Sequence, residues 1–277
     1  MNQFTTEYTT FKNLTLFHRA RISGHKTLLV FIHGLGDSSI SFHQFFNQPE
    51  FNDFDIIMPD TLGHGKTSAA EVCSYKLMTE CLENQVGAYA QNYEKIILIP
   101  HSIAGIPATM LCHGKLKDKI SGIFAIETSV TQHGSFLTEN LEASVNASED
   151  YNTWFDEFAD DIYQKGVNDS ILKIYHTGLM AVDRQAFLQI GLETRKLATK
   201  AKEEIFTHQI GNQFAELSIP VAYCYSNNGK STDGNPNIPF LEQHNIQRVI
   251  IKSGSHWSAQ ADPENFSKAL VSFIELI

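Results

Sequence analysis

A serine sits at a junction suited to nucleophilic chemistry. Pro100-His101-Ser102-Ile103-Ala104-Gly105 follows the apolar run Lys95–Ile99 and precedes a segment of small and apolar residues. A sharp strand-to-helix turn lifts a serine hydroxyl out of the backbone, and small neighbours let strand and helix approach. Ala104 and Gly105 supply them on the helix side, whereas Pro100 stands where glycine is usual. The first amides of the helix would point at the turn, ready for a developing oxyanion. The plainer role for Ser102 is to cap that helix.

Two further segments complete a constellation. His33-Gly34-Leu35-Gly36 follows the run Leu28–Ile32, and its glycines let a backbone amide turn toward a ligand. The Leu35 and Ile103 N–H groups could together form an oxyanion hole. Ser253-Gly254-Ser255-His256-Trp257 follows the last apolar run and precedes a helix start at Asp262-Pro263. A histidine in such a loop is well placed as a general base. His101 is its nearest rival, but beside the nucleophile its side chain is expected to point into the fold. Trp257 and His33 are expected to contact the substrate. Gly65-Lys66-Thr67 mimics the end of a phosphate-binding loop, yet the position five residues before Gly65 is Asp60 rather than glycine, and that glycine lets backbone amides cradle phosphate.

The elements that must hold these residues are visible as short apolar runs ending in turn residues. They lie at 28–32, 54–58, 95–99, 122–126, 221–225 and 248–251. Continuous β-branched runs suit strands buried on both faces of a parallel sheet. Helix-length stretches lie at 38–47, 76–91, 103–115 and 263–277. The alternation predicts an α/β fold with a mostly parallel central sheet flanked by helices. Leu14–His18 suits an antiparallel strand at the sheet edge. From Ser129 to Leu217 the rhythm breaks into several amphipathic helices: Phe155, Phe158 and Ile162 share one face, and Ile171, Ile174 and Tyr175 another. A helical cap inserted between two late strands is the simplest arrangement. The expected division is a core of residues 1–128 and 218–277, with a cap (lid) at 129–217.

Composition narrows the class. The chain has 277 residues, 42% hydrophobic and 19% charged, with 17 Gly and 8 Pro, which excludes disordered and collagen-like chains. Its net charge of −10 argues against nucleic acid as a partner. The segment 129–217 carries 14 acids and 7 bases, so the acidity is concentrated there, and the stretch Glu139–Asp161 has eight acids and no base. Such a run ordinarily marks a solvated face. Cys73, Cys81, Cys112 and Cys224 show neither a CxxC pair nor zinc-type spacing, so they are expected to be reduced and idle, and no metal or cofactor is expected. The N-terminus lacks the pattern of a signal peptide. The apolar runs fall far short of the ~20 residues of a spanning helix. A cytoplasmic protein without stable membrane insertion is expected.

Taken together, the strand-His-Gly turn, Asp60-Thr61-Leu62-Gly63-His64-Gly65, the His-Ser-x-Ala-Gly elbow, the helical insertion and the late Ser-His-Trp resemble the α/β-hydrolase superfamily over nearly the whole chain except the cap. The resemblance implies Ser102 as nucleophile, His256 as base and an acid to orient it. Most of the superfamily places an Asp after the strand matching Val221–Ser226; here the sequence is Asn227-Asn228-Gly229. Asp233 comes later. Glu127 ends the strand after the nucleophile helix, in a segment similar to the acid-bearing one of a branch of haloalkane dehalogenases. A charge ending a buried strand needs a partner, so Glu127 is preferred and Asp233 kept as the alternative. The dehalogenase likeness ends there: Ser102, Leu35 and Ile103 occupy the positions of its Asp nucleophile and halide-holding Asn and Trp. The resemblance implies cleavage of an ester, thioester or related acyl bond in a small to medium, mainly apolar molecule. A non-catalytic receptor or interaction protein on the same fold, and a C–C hydrolase, lyase or acyltransferase with the same triad, remain open.

Overall fold

The structure is a computed structural model that describes residues 4–130, 136–147, 150–201, 211–227, 235 and 237–277. Eight strands form one sheet: β1 (Thr5–Phe11), β2 (Leu14–Arg21), β3 (Thr27–Ile32), β4 (Asp55–Pro59), β5 (Lys95–Pro100), β6 (Ile120–Ile126), β7 (Val221–Ser226) and β8 (Gln247–Ile251). Their order is β1-β2-β4-β3-β5-β6-β7-β8. Strands β3 to β8 run parallel, while β2 is antiparallel to both β1 and β4. The expected edge strand is therefore second from the edge. The outermost strand, β1, is too polar and exposed to read as an apolar run.

Alternation along each central strand feeds two separate cores. One face carries Val30, Leu98, Ala125 and Tyr223 and packs on helices α1 (Tyr75–Gly87) and α2 (Gly105–His113). The other carries Phe31, Ile99, Phe124 and Cys224. It packs on the 3-10 stretch Ser39–Asn47, which replaces the expected α-helix at 38–47, and on the C-terminal helix. Both faces are sealed, as a parallel sheet requires.

Between β6 and β7 lie five helices among the described residues: α3 (Phe136–Asn146), α4 (Tyr151–Gly166), α5 (Ser170–Leu179), α6 (Arg184–Ala201) and α7 (Asn212–Ala215). Specific bonds dock this insertion on the sheet domain. Asp183 N donates to Gly63 O (2.8 Å), Tyr75 N to Glu193 Oε2 (2.8 Å) and Cys73 N to Gln189 Oε1 (2.6 Å). The acidic run is only partly a solvated face. Arg195 pairs with Glu139 (3.0 Å) and Glu142 (2.7 Å), Arg184 with Asp156, and Lys165 with Asp161 (2.6 Å). After β7 come α8 (Ile238–Gln243), then, beyond β8, α9 (Ser258–Ala261) and α10 (Pro263–Glu275). Among the described residues, no helix is long and apolar enough to cross a membrane. All four cysteines are buried and unpaired.

Candidate active site

The carboxyl ends of β3, β5, β6 and β8 converge on a cavity of about 840 Å³, roofed by the helical insertion. Ser102 lies at the end of β5 with φ +55°. A non-glycine residue in this left-handed region is costly and persists only where the surroundings hold it. Here the Ser102 carbonyl accepts from Ser129 N (3.2 Å), and the Ala104 amide returns to His101 O (3.0 Å). Two glycines make room. A Cβ on Gly34 would stand 3.0 Å from the Ser102 Cβ, and one on Gly105 would stand 2.7 Å from the Thr128 Cβ. Pro100 is accommodated as the last residue of β5. The next amide, of His101, continues the ladder to Ile32 O (2.9 Å).

The amides of Leu35 and Ile103 make no hydrogen bond to protein among the described residues, and both residues line the cavity beside Ser102. The Leu35 amide belongs to a tight turn closed by Asp37 N to Gly34 O (3.3 Å), with Gly36 at φ +74°.

Glu127 ends β6 and is also left-handed, at φ +47°. Its own amide donates to Cys224 O (2.8 Å), and its Oε1 accepts from Ser226 N (2.5 Å). Asn235 Nδ2 lies 3.5 Å from Oε2. Burial outweighs the bonds from Ser226 and pushes the Glu127 carboxyl up to about 7. A buried relay supports the following residue: Asn237 Nδ2 meets Tyr223 Oη (2.9 Å), which donates to Thr128 O (2.8 Å). Asp233, the alternative acid, lies outside the described residues.

His256 lines the same cavity. His256 keeps substantial exposure, while the protein packed around the site still desolvates its ring and pushes its pKa down to about 4. Among the described residues no hydrogen bond joins it to Ser102 or Glu127; such bonds are often long in unliganded sites and tighten with substrate. Its backbone carbonyl accepts from His101 Nε2 (2.9 Å), and the two rings lie 4.7 Å apart. His101 is thus buried as expected, yet it also forms part of the cavity wall. Burial and the neighbouring His256 hold it neutral, with its pKa down to about 3.

Trp257 lines the cavity, but His33 does not. Thr61 N donates to His33 Nε2 (2.9 Å), so Nδ1 carries the proton and donates to Gly34 O (2.8 Å). With both nitrogens committed and the ring buried, His33 ties two turns together, and the expected substrate contact is corrected to this structural one. The Gly65-Lys66-Thr67 turn is likewise wrapped around a carboxylate: Lys66 N donates to Asp60 Oδ2 (2.8 Å) and Ser39 N to Oδ1 (2.7 Å).

Several wall residues carried no chemical signal in the sequence. Tyr175, Trp154 and Phe158 are ordinary members of amphipathic helical stripes, and Asp37 follows a glycine turn. Asn237 offers a faint signal, since an asparagine just before Ile238-Pro239 is typical of a helix entry.

The chain was compared with known proteins. No curated protein sequence matches it. Among solved structures, E-2-(acetamidomethylene)succinate hydrolase superposes with a TM-score of 0.72 at 18% identity, covering 99% of this chain and 100% of that one. A carboxylesterase of Nitrososphaera gargenis gives 0.71 at 13%, covering 98% of each chain. An esterase of Thermogutta terrifontis gives 0.68 at 15%, covering 99% and 98%. At such identity these likenesses speak to the fold. The family model for the alpha/beta hydrolase fold matches residues 27–251, most of the chain, and the mostly parallel eight-stranded sheet flanked by helices is in keeping with it: the protein belongs to the α/β-hydrolase fold family.

Proposed function

We propose that the protein is a carboxylesterase-like serine hydrolase that cleaves an ester, thioester or related acyl bond through an acyl-enzyme. The observation that carries this reading is the left-handed Ser102 facing a cavity shared with His256 and with two unbonded amides, Leu35 and Ile103. In this scheme His256 takes the Ser102 proton as Oγ attacks the carbonyl carbon. The oxyanion that forms accepts from the Leu35 and Ile103 amides, and Glu127 orients the resulting imidazolium. The same imidazolium then protonates the leaving group, and water, activated by His256, hydrolyses the acyl-enzyme. Helices α3 to α7 act as a cap, dividing the chain into the core and lid expected from the sequence. Leu35, Ile103, Leu137, Trp154 and Phe158 along the walls favour a small to medium, mainly apolar substrate. The esterases among the structural neighbours support the class of reaction.

The test is p-nitrophenyl ester turnover together with labelling by a fluorophosphonate. Ser102→Ala is expected to abolish labelling and to lower kcat by about 10⁴-fold or more. Retained labelling or turnover would sink the assignment. The missing Ser102–His256 bond favours a second reading, a ligand receptor on the same fold. A compound that raises Tm at saturating concentration yet is never turned over, in a protein that no fluorophosphonate labels, would select it.

A further inference from the structure

Tyr175 joins three parts of the molecule. It projects from α5, in the insertion, and its side chain is buried. Its hydroxyl donates to the Leu35 carbonyl (3.1 Å), and its ring packs 4.9 Å from that of Trp257, the neighbour of the candidate base. The insertion grips the same turn elsewhere. A Cβ on Gly36 would come within 2.9 Å of the Tyr175 hydroxyl and of Phe187, and within 3.0 Å of Leu179. A Cβ on Gly178 would stand 2.9 Å from the Asp37 Cα.

The geometry of the Gly34–Asp37 turn gives that hydrogen bond its meaning. The turn closes between residues 34 and 37, with a left-handed glycine at its third position. This is the type II form, which differs from type I chiefly in the direction of the central peptide. Here the central peptide is Leu35–Gly36, and the Tyr175 hydroxyl holds its carbonyl. The amide offered to the oxyanion, Leu35 N–H, lies one peptide earlier in the same turn. Fixing the central peptide therefore fixes the frame that aims that amide.

Resting on the serine-hydrolase reading, we infer that Tyr175 is a positioning residue: it orders the oxyanion-binding turn only when the cap is seated, and so makes transition-state stabilisation conditional on cap closure. It touches neither the reacting atoms nor the proton path. Its effect is to couple the insertion to the Leu35 amide on one side and to the Trp257 wall on the other.

The test is Tyr175→Phe, which keeps the ring on Trp257 and deletes the hydroxyl. Rates are normalised to the fraction of Ser102 titrated by a fluorophosphonate, so a loss of folded protein does not enter. The expected result is a kcat lower by about tenfold on a p-nitrophenyl ester, the scale of one lost hydrogen bond, with KM within about twofold. A trifluoromethyl ketone, whose adduct with Ser102 carries the oxyanion, should lose affinity by the same factor. The matching secondary alcohol, which forms no adduct, should bind as before. Unchanged kcat and ketone affinity would overturn the inference, as would equal losses for ketone and alcohol, the mark of a merely structural role. A wild-type protein that no fluorophosphonate labels would overturn the hydrolase reading, and this inference with it. Labelling of the wild type at Ser102 together with an unaffected Tyr175→Phe would overturn this inference alone.

Discussion

The turns that carry Ser102 and Glu127 differ in kind from the loop that carries His256. Both of the former end central, parallel strands, and both hold a non-glycine residue at positive φ. Each is tied down from outside its own turn: Ser102 O by Ser129 N, the Glu127 amide by Cys224 O, Thr128 O by Tyr223. The His256 loop leaves β8, which lies at the sheet edge and pairs only with β7. Within residues 252–257, among the described residues, Ser253 and Ser255 bond to close neighbours, and His101 reaches in from a distant segment to donate to His256 O. Strain is thus kept where the sheet can hold it, and the proposed base is left as the adjustable member, which fits the absence of its bonds to Ser102 and Glu127.

Four measurements break or sharpen this contrast. Removing the charge from the rigid side has the largest expected effect. Glu127→Gln should lower kcat by about 10³-fold, as expected when a base loses the group that orients it, whereas Asp233→Asn should leave it within about twofold. A loss seen only in the second variant would transfer the acid role to Asp233. Next comes the long-range backbone anchor of the loose side. His101→Ala should lower kcat by about 10²-fold through misplacement of His256. His101→Gln, which can still donate to the carbonyl, should lose distinctly less; equal losses would show that the anchor is not what matters.

The third measurement is the pH profile. His256, with its pKa lowered to about 4, stays an unprotonated base well below neutrality. Glu127, raised to about 7, takes up a proton as the pH falls through that value and, in the proposed scheme, no longer steadies the imidazolium. The kcat/KM profile should therefore fall about tenfold per pH unit below neutrality. In Glu127→Gln this limb should move down toward pH 4, on a lower plateau. A wild-type limb near pH 4 would show that the carboxylate need not ionise. The smallest effect is expected at the elbow itself. Pro100→Gly should change kcat by less than about threefold and reduce stability by roughly 0.5–1 kcal/mol through the greater freedom of the unfolded chain. A large gain in kcat would mean that Pro100 distorts the turn.

The central strands were legible because they are buried on both faces and so read as unbroken apolar runs. β1 was not, since Thr5–Phe11 has one partner strand and keeps its polar residues in water. Ser102 and Gly105 were legible because the elbow imposes local size limits that sequence records. The tie that His33 makes and the anchor that His101 provides were not legible, for a common reason. Their placement depends on partners 28 and 155 residues away, Thr61 and His256, which local sequence does not reveal. Tyr175 was seen only as part of an apolar stripe, because periodicity gives the buried face of a helix but not what that face touches. The acidic run was read as solvated because its arginine partners, Arg184 and Arg195, lie on a later helix.

The contact between His101 and His256 spans 155 residues, and this has a consequence in time. A ribosome adds about 5–20 residues per second, so the elbow emerges roughly ten to thirty seconds before the residue proposed to activate it. Until β8 joins the edge of the sheet, a nascent chain can hold Ser102 in place and still lack the residue proposed to deprotonate it. Hydrolytic competence, on this view, waits for a segment made long after the elbow.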